Sequence, residues 1–254
     1  MALIIGKDVD ATPVLQVGDW ACDATPPQSL GEVKFVGELE GKKGVWAGVV
    51  WTNGARGKSD GSMDGVSHFE VPAGLSGSFC KADKLERACT FKQAFLERFD
   101  VGPDSGIKDV EGFKKAQASR TSLVLAGSLI HASGVNSAAD ESEVGDACPL
   151  VTELSVASNL MVGWEDVSQC CKCFPNLTSL DVNNNLLGQA SLDASAMQVF
   201  GSLVTLNVGK TCISWDEANL LLSACPALAN LNMSNNRLSE INIKEAHSEL
   251  QSLC

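Results

Sequence analysis

The sequence predicts a multi-domain chain: a small all-β barrel followed by an α/β solenoid. Three observations predict it. Residues 14–87 hold twelve glycines, among them Gly18, Gly31, Gly48, Gly61 and Gly77. Short strand-prone runs lie between those glycines. From about residue 119 onward, a single frame of apolar and polar residues recurs five times.

The glycine-rich part is placed at residues 12–88. Glu32–Val36, Val45–Trp51 and Val66–Val71 are each the length of a strand and rich in β-branched and aromatic residues. Glycine at this density points to turns with positive φ and to close backbone approach. Residues 89–118 read as a helical connector that docks on one of its neighbours. Phe91, Phe95, Leu96 and Phe99 fall on one side at helical spacing, and Val101-Gly102-Pro103-Asp104 ends the pattern.

Residues 119–254 carry the repeats. The segments Leu123–Ile130, Leu154–Met161, Leu180–Leu187, Leu206–Ile213 and Leu231–Leu238 share one frame, with Ser128, Asn159, Asn185, Thr211 and Asn236 in a common polar column. That column advances by 31, 26, 26 and 25 residues. This is the leucine-rich-repeat pattern LxLxxNxL. Its leading apolar residues form a short strand facing inward, and its Asn bonds the backbone where the chain turns. Helices are expected from Trp164 and from Trp215, each opened by acidic residues and closed near Pro175 and Pro226. At the end of the chain, Leu253 takes the place of Leu231 in the lead-in to a sixth strand, so about five repeats are expected, incomplete at the C-terminus.

Composition narrows the function classes. The net charge is −12, with −2 over residues 14–90 and −9 over residues 91–254. Nucleic acid is not expected as a partner, because phosphate neutralisation needs clustered Lys and Arg. A membrane is not expected either, since no run approaches the roughly 18 apolar residues of a spanning helix. The ten cysteines read as reduced thiols. Cys170, Cys171 and Cys173 lack a second ligand pair at zinc spacing, so no metal or other cofactor is expected. His131 and His247 have no nucleophile at recognisable spacing, and no enzyme is predicted. A phosphate loop fails at Thr52, where GxxxxGK[ST] needs glycine.

The string most tied to function is Gly57-Lys58-Ser59-Asp60-Gly61-Ser62, followed by Gly65 and His68-Phe69. Gly44-Val45-Trp46-Ala47-Gly48-Val49 precedes it, and Gly77-Ser78-Phe79-Cys80-Lys81 follows. These residues resemble the CAP-Gly family, with its GKNDG-like loop, its G-x-W-x-G-V strand and its later G-x-F-V. The resemblance runs from Val17 to Leu85. It departs from the family at Ser59 in place of Asn, His68 in place of an aromatic, and Cys80 in place of Val.

The resemblance implies a non-enzymatic domain that grips partner C-termini ending in Glu-Glu-Tyr or Glu-Glu-Phe. The expected peptide-binding residues are Trp46, Lys58, Ser59, Asp60, Gly61, Phe69, Phe79, Lys81 and Lys84. The lysines suit carboxylates, the aromatics suit a terminal ring, and the loop amides suit a terminal carboxylate. For Trp46, Phe69 and Phe79 a plain core role is the competing expectation.

A CAP-Gly-like module ahead of leucine-rich repeats resembles the tubulin-specific chaperone E family. Ile213-Ser214-Trp215-Asp216-Glu217 adds to that likeness. It implies a cytoplasmic, cytoskeleton-associated protein that binds the acidic tail of α-tubulin and works with other tubulin-folding cofactors in assembly or disassembly of the α/β heterodimer. Family members carry a C-terminal ubiquitin-like domain, which is expected to be missing here by truncation. The competing expectation is a cytoskeletal adaptor for microtubules or end-binding proteins.

Overall fold

The computed structural model describes residues 15–24, 29–99, 105–189, 196–236, 238 and 250–253. The chain divides into two compact units, Met1–Ala88 and Cys89–Cys254. The start of the predicted barrel at residue 12 lies outside the described residues, as do His247 to Glu249 and Cys254.

The first unit is all-β. Its strands are β1 (Trp20–Asp23), β2 (Leu30–Gly37), β3 (Trp46–Trp51), β4 (Ser62–Met63), β5 (Val66–Ser67), β6 (Ser76–Lys81) and β7 (Leu85–Arg87). Five of them form an antiparallel sheet in the order β6-β3-β2-β1-β7, and β4 pairs with β5 as a separate hairpin. Strand alternation sends Ala47, Val49 and Trp51 into a core with Leu15, Ala21, Val33 and Leu85. Trp46, Gly48 and Val50 face the other way. In β2 the register slips between Val33 and Phe35: Val33 stands opposite Val49, but Phe35 stands opposite Gly48. Two residues of β2 thus span one step of β3, a β-bulge that turns Phe35 out of the core onto the Gly48 face.

The second unit opens with β8 (Cys89–Thr90) and α1 (Phe91–Phe99), followed by α2 (Val110–Ala118), β9 (Ser122–Val124), β10 (Ile130–Ala132) and α3 (Ala138–Gly145). It continues with β11 (Glu153–Ser155), α4 (Trp164–Lys172), β12 (Ser179–Asp181), β13 (Thr205–Asn207), α5 (Trp215–Ala224), β14 (Asn230–Asn232) and β15 (Ser252–Leu253). Strands β9 and β11 to β15 form a parallel sheet in chain order, with Leu123, Leu154, Leu180, Leu206, Leu231 and Leu253 in register. This is the leucine-rich-repeat solenoid.

The turn after each strand has one recurrent device. Gly127, Ser158, Asn184, Lys210 and Asn235 all have φ between +54° and +68°, and each stands immediately before the polar column. At Asn159, Asn185 and Asn236 the left-handed step is followed by a side chain turned inward, where it bonds backbone of its own and of a neighbouring repeat. Asn185 Nδ2 donates to Val156 O and Val182 O at 3.0 and 2.9 Å, and its Oδ1 accepts from Met161 N at 3.1 Å. Asn159 does the same one repeat earlier, donating to Leu125 O and Val156 O and accepting from the amides of Ser128 and Ile130. Thr211 substitutes only partly: its hydroxyl donates to Val208 O at 2.6 Å, while its own amide leans on Asn236 Oδ1.

Residues 89–118 hold α1 and α2, and they pack on the repeats. Cys89–Thr90 pairs in parallel with β10, and Phe91, Phe95 and Phe99 are buried in the repeat core, with Phe91 edge-on to Phe174. Leu96, grouped with them by spacing, is 37% exposed, because it lies about 100° around the helix from Phe95. Lys92 ties α1 to α3 through Asp140 at 2.5 Å and Glu143 at 2.6 Å. Asp140 also accepts from the amide of Asn136 and the hydroxyl of Ser137.

The helices expected from Trp164 and Trp215 start at those residues, and Ser214 with Glu217 closes a capping box on the second. The sequence reading missed α3. In the third repeat, 3-10 turns at Leu187–Gln189 and Ala196–Phe200 stand where other repeats have helix. Cys170, Cys171 and Cys173 pack into the core. Burial pushes all three thiols up, Cys173 to about 12, so they stay protonated and unreactive at neutral pH.

Asn185→Ala leaves the Val182 carbonyl and the Met161 amide in the core without a partner and removes one of the two donors to Val156 O. Urea unfolding should register a loss of about 2–3 kcal/mol; a loss below half that would mean the turn relaxes around the gap. The Asp140 carboxyl is held below its usual range, chiefly by the Lys92 hydrogen bond. Its stabilisation is therefore full above about pH 4 and lost as pH falls through the lowered value. The melting temperature of Asp140→Asn should accordingly fall less steeply below pH 4 than that of the parent chain.

Candidate functional site

The Gly57–Gly61 loop is stitched to β6. Ser59 and Gly77 exchange both backbone hydrogen bonds, at 2.9 and 3.0 Å, and the Gly57 amide donates to Ser76 Oγ at 3.0 Å. Within the loop, Ser59 Oγ accepts from the Gly61 amide at 3.1 Å. Asp60 Oδ1 accepts from the Ser62 amide at 2.9 Å and the Ser62 hydroxyl at 2.6 Å. These two bonds hold the Asp60 carboxyl below its ordinary range. Ser59, the departure from GKNDG, therefore spends its hydroxyl inside the loop.

Phe69 lies beneath this loop and is 7% exposed. A Cβ on Gly48 would come within 2.2 Å of the Phe69 ring. Gly61 has φ +94°, and a Cβ there would stand 1.8 Å from Phe69 O. Gly48 admits the ring, and Gly61 admits the Phe69 carbonyl. Phe69 meets Phe79 edge-on at 5.1 Å, Phe79 meets His68 at 5.5 Å, and His68 meets Phe35 at 4.9 Å. Phe35, His68 and Phe79 are half-buried, so the cluster presents aromatic surface on the Gly48 face.

A groove of about 640 Å³ runs between the loop and β6, lined by Lys58, Ser59, Asp60, Ser62, Met63, Ser78 and Phe79. Lys58 is exposed and has no ion pair among the described residues. Arg56 is different: its guanidinium grips Asp23 through two contacts, at 3.0 and 2.5 Å, and lies over the Trp51 ring at 4.8 Å. Arg56 braces the approach to the loop and is not a spare cation. A groove with the Lys58 ammonium, loop hydroxyls and an adjoining aromatic wall can hold a short chain that is both acidic and aromatic.

Of the residues expected from sequence, Lys58, Ser59, Asp60 and Phe79 meet in this groove. Gly61 is buried behind them. Trp46 and Lys81 stand opposite each other on the same sheet face as Phe79. Phe69 does not line the groove but supports Phe79 from below. Lys84, in the turn Ala82–Lys84, is exposed and outside the lining. Sequence reasoning missed Ser62, Met63 and Ser78 in the lining, and Phe35 and His68 in the aromatic wall. Phe35 is hidden by the bulge, and the sequence marks His68 only as a departure from the aromatic of the CAP-Gly pattern.

Gly48→Ala should overpack Phe69 and lower the stability of this unit by about 1–3 kcal/mol. Near-ultraviolet circular dichroism and thermal unfolding read both the ring environment and the loss. An unchanged melting temperature would mean that Phe69 is free to move aside.

Comparison with known proteins agrees with this geometry. Residues 17–85 match the CAP-Gly domain family. The chain is 29% identical over 216 residues to tubulin-specific chaperone E of Xenopus laevis, covering 82% of this chain and 41% of that protein. It is 29% identical over 228 residues to tubulin-folding cofactor E of Arabidopsis thaliana, covering 84% and 42%. With tubulin-specific chaperone E of Homo sapiens, the identity is 29% over 223 residues, covering 81% and 42%. The chain thus spans about two-fifths of the length of the relatives it matches. A solved Listeria monocytogenes internalin aligns with 64% of this chain and 41% of its own at 19% identity, with a TM-score of 0.42. Residues 17–85 are a CAP-Gly domain, carried by a chain that resembles tubulin-specific chaperone E over about four-fifths of its length.

Proposed function

We propose that this chain is a tubulin-binding chaperone without a catalytic step of its own. It binds α-tubulin by the acidic C-terminal tail and takes part in tubulin folding and in assembly or disassembly of the α/β heterodimer. The observation that carries this reading is the Lys58–Phe79 groove, where a cation without an ion pair among the described residues stands beside an aromatic wall in the CAP-Gly domain. The names of its relatives, tubulin-specific chaperone E and tubulin-folding cofactor E, supply the partner.

The mechanism is bivalent. Lys58, with Lys81 and Lys84 nearby on the exposed surface, meets tail carboxylates through charge-assisted hydrogen bonds. Phe79, backed by Phe69 and flanked by Trp46, receives the terminal ring. The repeats offer a second surface to the body of tubulin, and linking two weak sites raises the apparent affinity through effective concentration. We place the activity in the cytoplasm, alongside other tubulin-folding cofactors and the cytoskeleton.

Mixing the purified chain with soluble tubulin heterodimer and with stabilised microtubules tests the reading. Transfer of α-tubulin into a complex lacking β-tubulin is the expected result. Co-sedimentation with intact microtubules and no loss of heterodimer would instead assign the chain to the cytoskeletal adaptors. Lys58→Ala should weaken binding of a Glu-Glu-Tyr peptide by about fivefold and flatten its salt dependence. Unchanged affinity in fluorescence titration would remove the groove from the mechanism.

A further inference from the structure

The edge of β6 carries hydrogen-bonding groups that the fold does not use. Along an antiparallel strand, successive residues direct their N–H and C=O alternately to one side and the other. Gly77 gives both groups to Ser59, away from β3. Ser78 and Cys80 therefore bond to β3, while Phe79 and Lys81 turn outward like Gly77. The Ala82 amide, donating to Val45 O at 3.0 Å, keeps the same alternation. Beyond Gly77 the loop leaves the edge. Among the described residues nothing pairs with the outward N–H and C=O of Phe79. The 640 Å³ groove opens here, with Ser78 and Phe79 on one wall and Lys58 to Met63 on the other.

We propose that β6 receives an extended acidic peptide as an added strand, whose backbone pairs with Phe79 where Ser59 stops pairing with Gly77. This rests on the groove reading above and adds how the peptide is held. Main-chain pairing sets its direction and register, and alternate side chains then fall on opposite faces. An aromatic residue directed to the Phe35–His68–Phe79 face leaves its immediate neighbour directed to the other wall.

Charge selects the occupant. Lys58 and Lys81 flank the open stretch, both exposed and without an ion pair among the described residues. The Asp60 carboxylate in the lining is turned into its own loop by Ser62. A second copy paired edge to edge would add its own Lys58 and Lys81 to this stretch, which opposes self-association. An open strand edge is also a general pairing hazard, so edge lysines serve both ends: they repel copies and attract carboxylates.

Amide hydrogen exchange followed by NMR on the full chain decides the matter, with and without a saturating synthetic peptide ending in Glu-Glu-Tyr. The Phe79 amide should exchange rapidly in the free chain and slow by about tenfold or more with peptide. Ser78 and Cys80, bonded to β3, should be slow in both states. If the peptide binds and Lys58→Ala weakens it while the Phe79 amide stays fast, edge pairing is overturned and the groove reading stands. If the peptide does not bind at all, both fall. Protection of Phe79 that rises with chain concentration and without peptide would overturn the proposal in favour of self-pairing.

Discussion

The seating of Phe69 against Gly48 and Gly61 is the contact from which the binding surface is built. The Phe69 ring occupies the space that a Cβ on Gly48 would fill, and the Phe69 carbonyl the space that a Cβ on Gly61 would fill, so one residue meets both the sheet and the loop. The Gly61 carbonyl accepts from the His68 amide at 3.0 Å, so the loop is closed over the ring from above. The Ser59–Gly77 bridge then fixes the loop laterally. With both constraints in place, the backbone at Ser59 is held beside β6, and Phe79 is propped at its edge by the buried Phe69. The aromatic surface is thus preorganised, which reduces the ordering cost of holding a flexible tail.

The solenoid solves a different problem. A parallel sheet of three-residue strands has few ladder bonds per strand, so the turn after each strand must supply the rest. The left-handed residue before each polar column costs backbone energy at Ser158 and Lys210, where no glycine relieves it. The return is a side chain that reaches carbonyls of two repeats at once, as Asn159 and Asn185 do. Thr211 has the hydroxyl but not the reach, so Asn236 leans back to serve its amide. The ladder survives its short rungs at Ser128 and Thr211 because the asparagine of the next repeat reaches back to both.

The repeat frame was legible because it is periodic. Leucine and asparagine columns announce themselves, and the Trp at the head of α4 and of α5 marks a helix start in both copies. The Lys58 loop was legible because glycine, lysine and aspartate in that order have few structural reasons to coincide. Phe35 was not legible. Plain alternation from the buried Val33 assigns it to the core, and only the slip of register opposite Val49 and Gly48 sends it to the binding face. Phe69 and Phe79 looked alike in sequence but differ by one layer: one is foundation, the other is wall. The third repeat, with 3-10 turns where its neighbours have helices, carries no cap or break strong enough to be read in advance.

Electrostatics adds a last constraint on where an acidic tail can bind. The chain carries −12 overall, and −9 of that lies in residues 91–254. At physiological ionic strength fields decay over about 8 Å, so attraction depends on local charge and not on the total. In the first unit Lys34 is paired with Glu32, Arg56 with Asp23 and Arg87 with Asp19, which removes each as a strong anchor. Lys58 and Lys81 are left without such partners among the described residues, and both border the groove edge. The ion pairs elsewhere therefore sharpen the site: three cations of the first unit are neutralised, and of the lysines without an ion pair among the described residues, Lys42, Lys43, Lys58, Lys81 and Lys84, it is Lys58 that lines the groove.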